Sequence, residues 1–411
     1  MVATKHLCVL IHGLWGNPPH LNHLKHTLED SDSTGNLHVL VPKGNADYFT
    51  YDGIEVGAER IAHEIEETIA ELSRQGAKLD KISVIGYSLG GVIARYVIGL
   101  LYKDGVFERL KPINFTTFAS LWIGIRSPAG GIGGAAWNAI APRTLSVTGR
   151  QMFVADKFRD TGRPLLAILA DPNSIFLRAL KAFKHKSLYA NTQNDRSVPY
   201  YTASFSRSNP FVDLDAVDVH YLPGQDEKVL LDPACPVTPS THKAQESGFE
   251  RFKIRSRRFG NKLPMYAIFT LLFPIAATYM IVNGAYQTYR SSSRIRQHES
   301  GKTLVDSRRF RFPLLEEVQA MQDHNMERLA NAQSGEVVDH AEKGDDGFKA
   351  LALAPVQLEM IRNLEAVGIT RYAAHIQNAR HTHAAIIVRY QTPDFSEGVA
   401  VVNHWVQHFE I

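Results

Sequence analysis

Lys81-Ile82-Ser83-Val84-Ile85-Gly86-Tyr87-Ser88-Leu89-Gly90 decides how this chain is read. Lys81 to Ile85 is a short, apolar, β-branched run of the kind that forms a buried strand. Behind it, Leu89, Val92, Ile93, Tyr96, Val97, Leu100 and Leu101 recur at the i, i+3, i+4 spacing of one helix face. The turn between them must be tight. Glycines at 86 and 90 fit that demand, because a Cβ at either position would meet the neighbouring strand or helix. Gly-x-Ser-x-Gly alone is a weak pattern, since both residue types are common. Between a strand and a helix it reads as a nucleophile elbow, a strained turn that lifts the Ser88 hydroxyl clear of the sheet.

Leu7-Cys8-Val9-Leu10-Ile11 is a second buried strand and ends in His12-Gly13-Leu14-Trp15-Gly16. In α/β-hydrolases a His-Gly turn after an early strand supplies one oxyanion-hole amide, and the residue after the nucleophile supplies the other. The amides of Leu14 and Leu89 are those donors here. His12 reads as a ring packed behind the turn. Further strand and helix patterns alternate: Leu37 to Val41, a helix with a stripe of Ile61, Ile65, Ile69 and Leu72, and the strand Phe115 to Ile123. That alternation predicts an α/β fold, an α/β-hydrolase with a mostly parallel central sheet flanked by helices.

A serine nucleophile needs a base and an acid, in the chain order Ser, Asp or Glu, His. Leu188 to Asn191 reads as a short strand, and Gln193-Asn194-Asp195-Arg196-Ser197-Val198-Pro199 as the loop leaving its carboxyl end, where open α/β sheets collect their functional groups. Asp195 is the candidate acid. Asp171, Asp213 and Asp215 are less well placed, and an aspartate in such a loop also serves simply to cap a turn. The candidate base lies near the C-terminus. Thr370 to Ile376 reads as the last strand, followed by the polar loop Gln377 to His383 and the apolar run Ala384 to Val388. His383 borders the apolar run and is preferred to His381, while His375 reads as an ordinary strand residue. Two histidines two apart, without a cysteine or paired carboxylate nearby, make a poor zinc pattern, so no metal or cofactor is expected.

The stretches His12 to Gly16, Gly86 to Gly91, Asn194 to Pro199 and His381 to Arg389 together resemble the fungal "putative serine esterase" family of lipase-like α/β-hydrolases, whose best-known type is a phospholipase of lipid droplets. The resemblance covers most of residues 1–205 and 355–411. It implies an acyl-ester hydrolase acting on glycerolipids, either phospholipid or acylglycerol, with Ser88 as its serine.

The chain of 411 residues fits one enlarged domain. Residues 1–205 form the first part of the core, 206–350 an insertion, and 351–411 the last part, which brings the histidine. Residues 127–163, with Trp137, Leu145, Met152 and Phe153, read either as a lid over the site or as an ordinary crossover. Residues 205–250 hold one hairpin signal around Gly224, and residues 331–349 read as a mobile loop.

The insertion carries the second functional signal. No residue from Leu263 to Tyr289 is charged, and the apolar run Met265 to Val282 is about the minimum length for a bilayer span, roughly 18 residues. Arg251, Lys253, Arg255, Arg257, Arg258 and Lys262 lie on one side, and Arg290, Arg294 and Arg296 on the other. A spanning helix would separate Ser88 and Asp195 from His383 across the membrane. Three forms remain for 263–289: a monotopic hairpin bent at Pro274, an interfacial helix with its basic flanks on anionic head groups, or a helical hairpin buried against the core. The first two predict association with a lipid droplet or membrane surface.

A net charge of +3 does not point to nucleic acid. Two cysteines, Cys8 and Cys235, make no disulfide framework. The first strand starts about six residues from Met1, too close for a secretory signal, so the site is expected to face the cytosol and the protein not to be secreted. The sequence carries no signal for oligomeric state. Two competing functions stay in view: a soluble acyl thioesterase or protein deacylase, and a non-catalytic lipid-surface adaptor on a hydrolase scaffold.

Overall fold

The structure is a computed structural model and describes residues 5–128, 131–240, 263–301 and 347–411. Its centre is a six-stranded sheet in the order β2-β1-β3-β4-β5-β8, in which every neighbouring pair is parallel. The strands are β1 His6–Ile11, β2 Leu37–Leu40, β3 Lys81–Tyr87, β4 Lys111–Phe118, β5 His185–Asn191 and β8 Thr370–Ala374. A short antiparallel pair, β6 Val217–Val219 and β7 Val237–Pro239, stands apart, and its arms enclose Gly224.

The strands are apolar on both sides because both faces are covered. The pleat of β1 sends Leu7, Val9 and Ile11 into one core and Cys8 and Leu10 into the other. Helices α2 Ile54–Arg74 and α3 Leu89–Lys103 cover the first face. On the second lie α1 Asn22–Ser31 and the C-terminal helix Ser396–Gln407, through Leu24, Leu28, Val401, Val402 and Trp405. All seven apolar positions of the α3 stripe are buried, and so is almost every other residue of that helix. Helix α3 therefore runs through the core rather than along the surface.

Several boundaries differ from the sequence pattern. Strand β4 ends at Phe118, five residues short of Ile123, because the chain turns away at Ala119, which has a φ of +43°. The apolar run Ala384 to Val388 begins in the single helical turn Thr382–Ala385, and Ala385 to Val388 fill the second core. Residues 131–152 are helical segments, with Met152 and Phe153 buried, Leu145 partly buried and Trp137 exposed. At the β8 edge, Leu230 bridges Ala374, and the amides of Leu231 and His375 donate to the carbonyls of Ala373 and Val229. Part of the insertion thus covers what would be a bare sheet edge.

The apolar insert takes a single form. Leu263–Glu299 is one uninterrupted helix of 37 residues, so Pro274 does not turn the chain back into a hairpin. A proline removes one backbone bond from a helix, which a long helix can absorb as a local bend. Among the described residues no helix is long and apolar enough to cross a membrane. Of the basic flanks, Arg251 to Lys262 lie outside the described residues, as does most of the 331–349 loop. Arg290 and Arg296 are exposed, but Arg294 is engaged by buried Asp52 and is not available to a head group.

Candidate active site

The elbow is built as its glycines require. Ser88 sits at φ +56° and ψ −126°, a conformation that costs a non-glycine residue of order 1–3 kcal/mol and is held by the surrounding structure. A Cβ on Gly90 would stand 2.1 Å from the Ile11 carbonyl oxygen, and one on Gly86 would stand 2.3 Å from the Gly91 Cα. Both obstacles are backbone and cannot rotate away. The Ser88 amide donates to the Phe118 carbonyl at 2.9 Å, which ties the turn to β4.

Three distant segments meet at Ser88 Oγ. His383 Nε2 lies 2.9 Å from it, and His383 Nδ1 lies 2.8 Å from Asp195 Oδ2. The imidazole is 17% exposed and the carboxylate 2%. His381 stands outside this line: it is exposed and precedes the helical turn Thr382–Ala385. His375 is buried, with Nδ1 2.9 Å from the Tyr221 hydroxyl. Asp171 pairs with Arg163 at 2.5 Å, and the Asp213 side chain accepts from the Asp215 amide.

Asp195 is fixed on every side. Its Oδ1 accepts from the amides of Ser197 at 3.0 Å and Val198 at 2.8 Å, while Asn191 Nδ2 donates to Oδ2 at 2.9 Å. These donors fix the carboxylate's orientation and leave Oδ2 turned to the imidazole. The turn-capping function of an aspartate and its contact with His383 are therefore met together. The imidazole is anchored through its backbone as well. The Thr382 hydroxyl donates to the Gln193 carbonyl at 2.7 Å, and the Tyr87 hydroxyl donates to the His383 carbonyl at 2.9 Å. Sequence reasoning missed Asn191 and Tyr87. Tyr87 occupies the variable position of the motif, and nothing in local spacing marks its reach to residue 383.

Beneath the first turn, His12 is buried and its Nδ1 lies 3.1 Å from the Gly13 carbonyl. Burial holds its pKa below the ordinary histidine value. Among the described backbone hydrogen bonds outside helices and strands, none uses the amide of Leu14 or Leu89. Leu89 opens α3, where first-turn amides lack an intrahelical partner and carry the positive end of the helix dipole. Among the described residues no group of three or more His, Cys, Asp or Glu side chains is arranged to hold a metal.

A parallel sheet of this order, with a strained serine at the β3–α3 turn and an Asp–His pair on the loops after β5 and β8, defines an α/β-hydrolase. Residues 2–208 match the family described as "Putative serine esterase (DUF676)", and the chain belongs to that family. Among its relatives is "Putative lipase ROG1" of Saccharomyces cerevisiae, 31% identical over 207 residues, which are 49% of this chain and 28% of that protein. Another is "Putative lipase C4A8.10" of Schizosaccharomyces pombe, 27% identical over 215 residues, or 50% of this chain and 27% of that protein. The chain thus spans under a third of the length of these relatives. Solved structures matched in part include carboxyl esterase 2 from Tuber melanosporum, at 15% identity and a TM-score of 0.31 over 46% of this chain and 58% of that one. Phospholipase PlaB from Legionella pneumophila matches at 16% identity and a TM-score of 0.28 over 48% and 43%. Likeness at that level adds nothing to the sheet order seen directly.

Proposed function

We propose that this protein is a serine esterase that hydrolyses acyl esters of glycerolipids, as a phospholipase or lipase, at a lipid-droplet or membrane surface. The observation that carries the proposal is the continuous hydrogen-bonded line from Ser88 through His383 to Asp195, at 2.9 and 2.8 Å. Ser88 Oγ attacks the ester carbonyl carbon while His383 Nε2 takes the hydroxyl proton. Asp195 holds the Nδ1–H tautomer and stabilises the imidazolium. The carbonyl oxygen becomes an oxyanion and accepts from the amides of Leu14 and Leu89, each such donor being worth about 3 kcal/mol. As the tetrahedral intermediate collapses, the C–O bond to the leaving alcohol breaks and His383 returns the proton to that oxygen. Water, deprotonated by His383, then attacks the acyl-enzyme and releases the fatty acid and Ser88. No metal or cofactor enters these steps.

Lipid as the substrate class rests on the family and on relatives described as lipases. Surface association rests on the insert helix, whose outward side exposes Val282, Tyr286 and Tyr289, an apolar and aromatic stripe of the kind that settles at a lipid interface.

An activated phosphonate probe should label the wild type and release of fatty acid should be seen from phospholipid or triacylglycerol. Ser88→Ala should abolish labelling and lower turnover on the order of a million-fold. Undiminished hydrolysis by that variant would remove the mechanism. Replacing Val282, Tyr286 and Tyr289 together by serine should reduce flotation with lipid vesicles while leaving probe labelling intact. Unchanged flotation would remove the surface part.

A further inference from the structure

The last turns of the insert helix are latched to the catalytic half by polar groups that the Ser88 line does not use. Ser291, Arg294 and His298 share one helix face at i, i+3 and i+7. Arg294 Nε lies 3.0 Å from both Asp52 oxygens and Nη2 lies 2.7 Å from Oδ1, so guanidinium and carboxylate meet fork to fork. Nη2 also donates to the Tyr48 carbonyl at 3.0 Å, and Arg60 approaches Asp52 Oδ2 at 2.9 Å. Ser291 Oγ donates to the Tyr51 carbonyl at 3.2 Å, and His298 Nε2 meets Glu59 Oε2 at 2.6 Å with both side chains fully buried. All these acceptors belong to one stretch, from the 3-10 turn Asp47–Tyr51 through Asp52, which follows it, into the start of α2.

That same stretch braces the loop that carries Leu14. The Asp47 amide donates to the Gly16 carbonyl at 2.8 Å, and the Trp15 amide donates to Thr50 Oγ1 at 3.2 Å. The Thr50 hydroxyl in turn donates to the Asp47 carbonyl at 2.6 Å. Trp15 needs the brace, because its φ of +53° is left-handed for a residue with a bulky side chain. A buried ion pair often adds little net stability over well-packed apolar side chains, but its directional bonds fix a position that apolar contacts would leave free to slide.

We infer that Arg294 and Asp52 are positioning residues for the oxyanion hole. The insert helix sets the Leu14 amide through Asp52, the Asp47–Tyr51 turn and Thr50, so the element that faces lipid also holds part of the catalytic centre. This rests on the proposed role of Ser88 and the Leu14 amide.

The test uses a short-chain p-nitrophenyl ester dissolved in water, so that no lipid surface takes part, with the full chain and four variants. Thr50→Val and Arg294→Met should each lower kcat about tenfold with KM unchanged to within about twofold, the pattern of an interaction made only in the transition state. Phosphonate labelling of Ser88 should slow in parallel and still reach completion. Arg294→Lys should recover part of the loss, and Gln297→Ala, exposed on the same helix, should behave as wild type. If Arg294→Met does not fold, Arg294→Lys, which keeps the charge and loses the fork, decides together with Thr50→Val: wild-type kcat in both overturns the inference. Wild-type kcat in folded Thr50→Val and Arg294→Met overturns the inference, as does a loss expressed only as a higher KM. Activity retained by Ser88→Ala would instead overturn the underlying reading, so the two failures are distinct.

Discussion

The Tyr87 hydroxyl donates to the backbone carbonyl of His383 at 2.9 Å, and the two rings lie 5.1 Å apart between centroids. The residue immediately before Ser88 thereby holds the chain that carries the imidazole. Burial, reinforced by the charge of Asp195, raises the Tyr87 phenol well above its ordinary pKa, so it remains a donor throughout the working pH range.

Tyr87→Phe deletes this bond and leaves a carbonyl with one partner fewer. A neutral hydrogen bond contributes about 1 kcal/mol net, so kcat should fall roughly fivefold while phosphonate labelling still reaches completion. Steady-state rates on a dissolved ester measure this. A turnover equal to wild type would mean that the 383 backbone is held without Tyr87.

The two C-terminal histidines should separate cleanly. His383→Ala should lose turnover by about 10⁴-fold or more, and Asp195→Asn by about 10⁴-fold, since the asparagine fixes the wrong tautomer. His381→Ala should stay within about twofold of wild type, because that side chain is exposed and outside the Ser88 line. Equal losses in the two histidine variants would contradict this assignment.

Steric closure at the elbow gives a prediction about folding rather than rate. Gly90→Ala drives a methyl group into the Ile11 carbonyl oxygen at 2.1 Å, and the obstacle is the end of a central strand. Overpacking against yielding side chains typically costs 1–3 kcal/mol, and against backbone the loss should exceed that. Thermal melting or the yield of folded protein reads it. A wild-type melting temperature in Gly90→Ala would be incompatible with this packing.

Acid should weaken the fold through buried histidines. His6 and His404 are each lowered to about 4, by burial first and then by Lys81 for His6 and His408 for His404. Folding therefore favours their neutral forms, while the unfolded chain takes up protons near the ordinary value of 6.5. Their contribution is complete above about pH 6.5 and is lost as pH falls toward 4, by up to about 3 kcal/mol for His6 and by less for His404, whose ring is nearer to solvent. Melting temperature measured from pH 8 to pH 4 should fall across that window, and His6→Gln should flatten the slope. A flat profile in the wild type would show that these rings do not titrate on unfolding.

The sequence by itself determined the parallel sheet, the elbow and the segments that carry Asp195 and His383. Those features are set by local patterns: strand runs in β1 and β3, a helical stripe from Leu89 to Leu101, glycines where a Cβ has no room, and polar loops at strand ends. Only the tertiary structure decided that His383 rather than His381 reaches Ser88, and that Asn191 and Tyr87 steady the line. It also decided that the insert is one helix whose Arg294 binds Asp52, two residues 242 positions apart. The physical reason is range. Periodicity records which face of an element is buried against something, whereas the identity of that something depends on how separate elements pack, and no neighbouring residue encodes it.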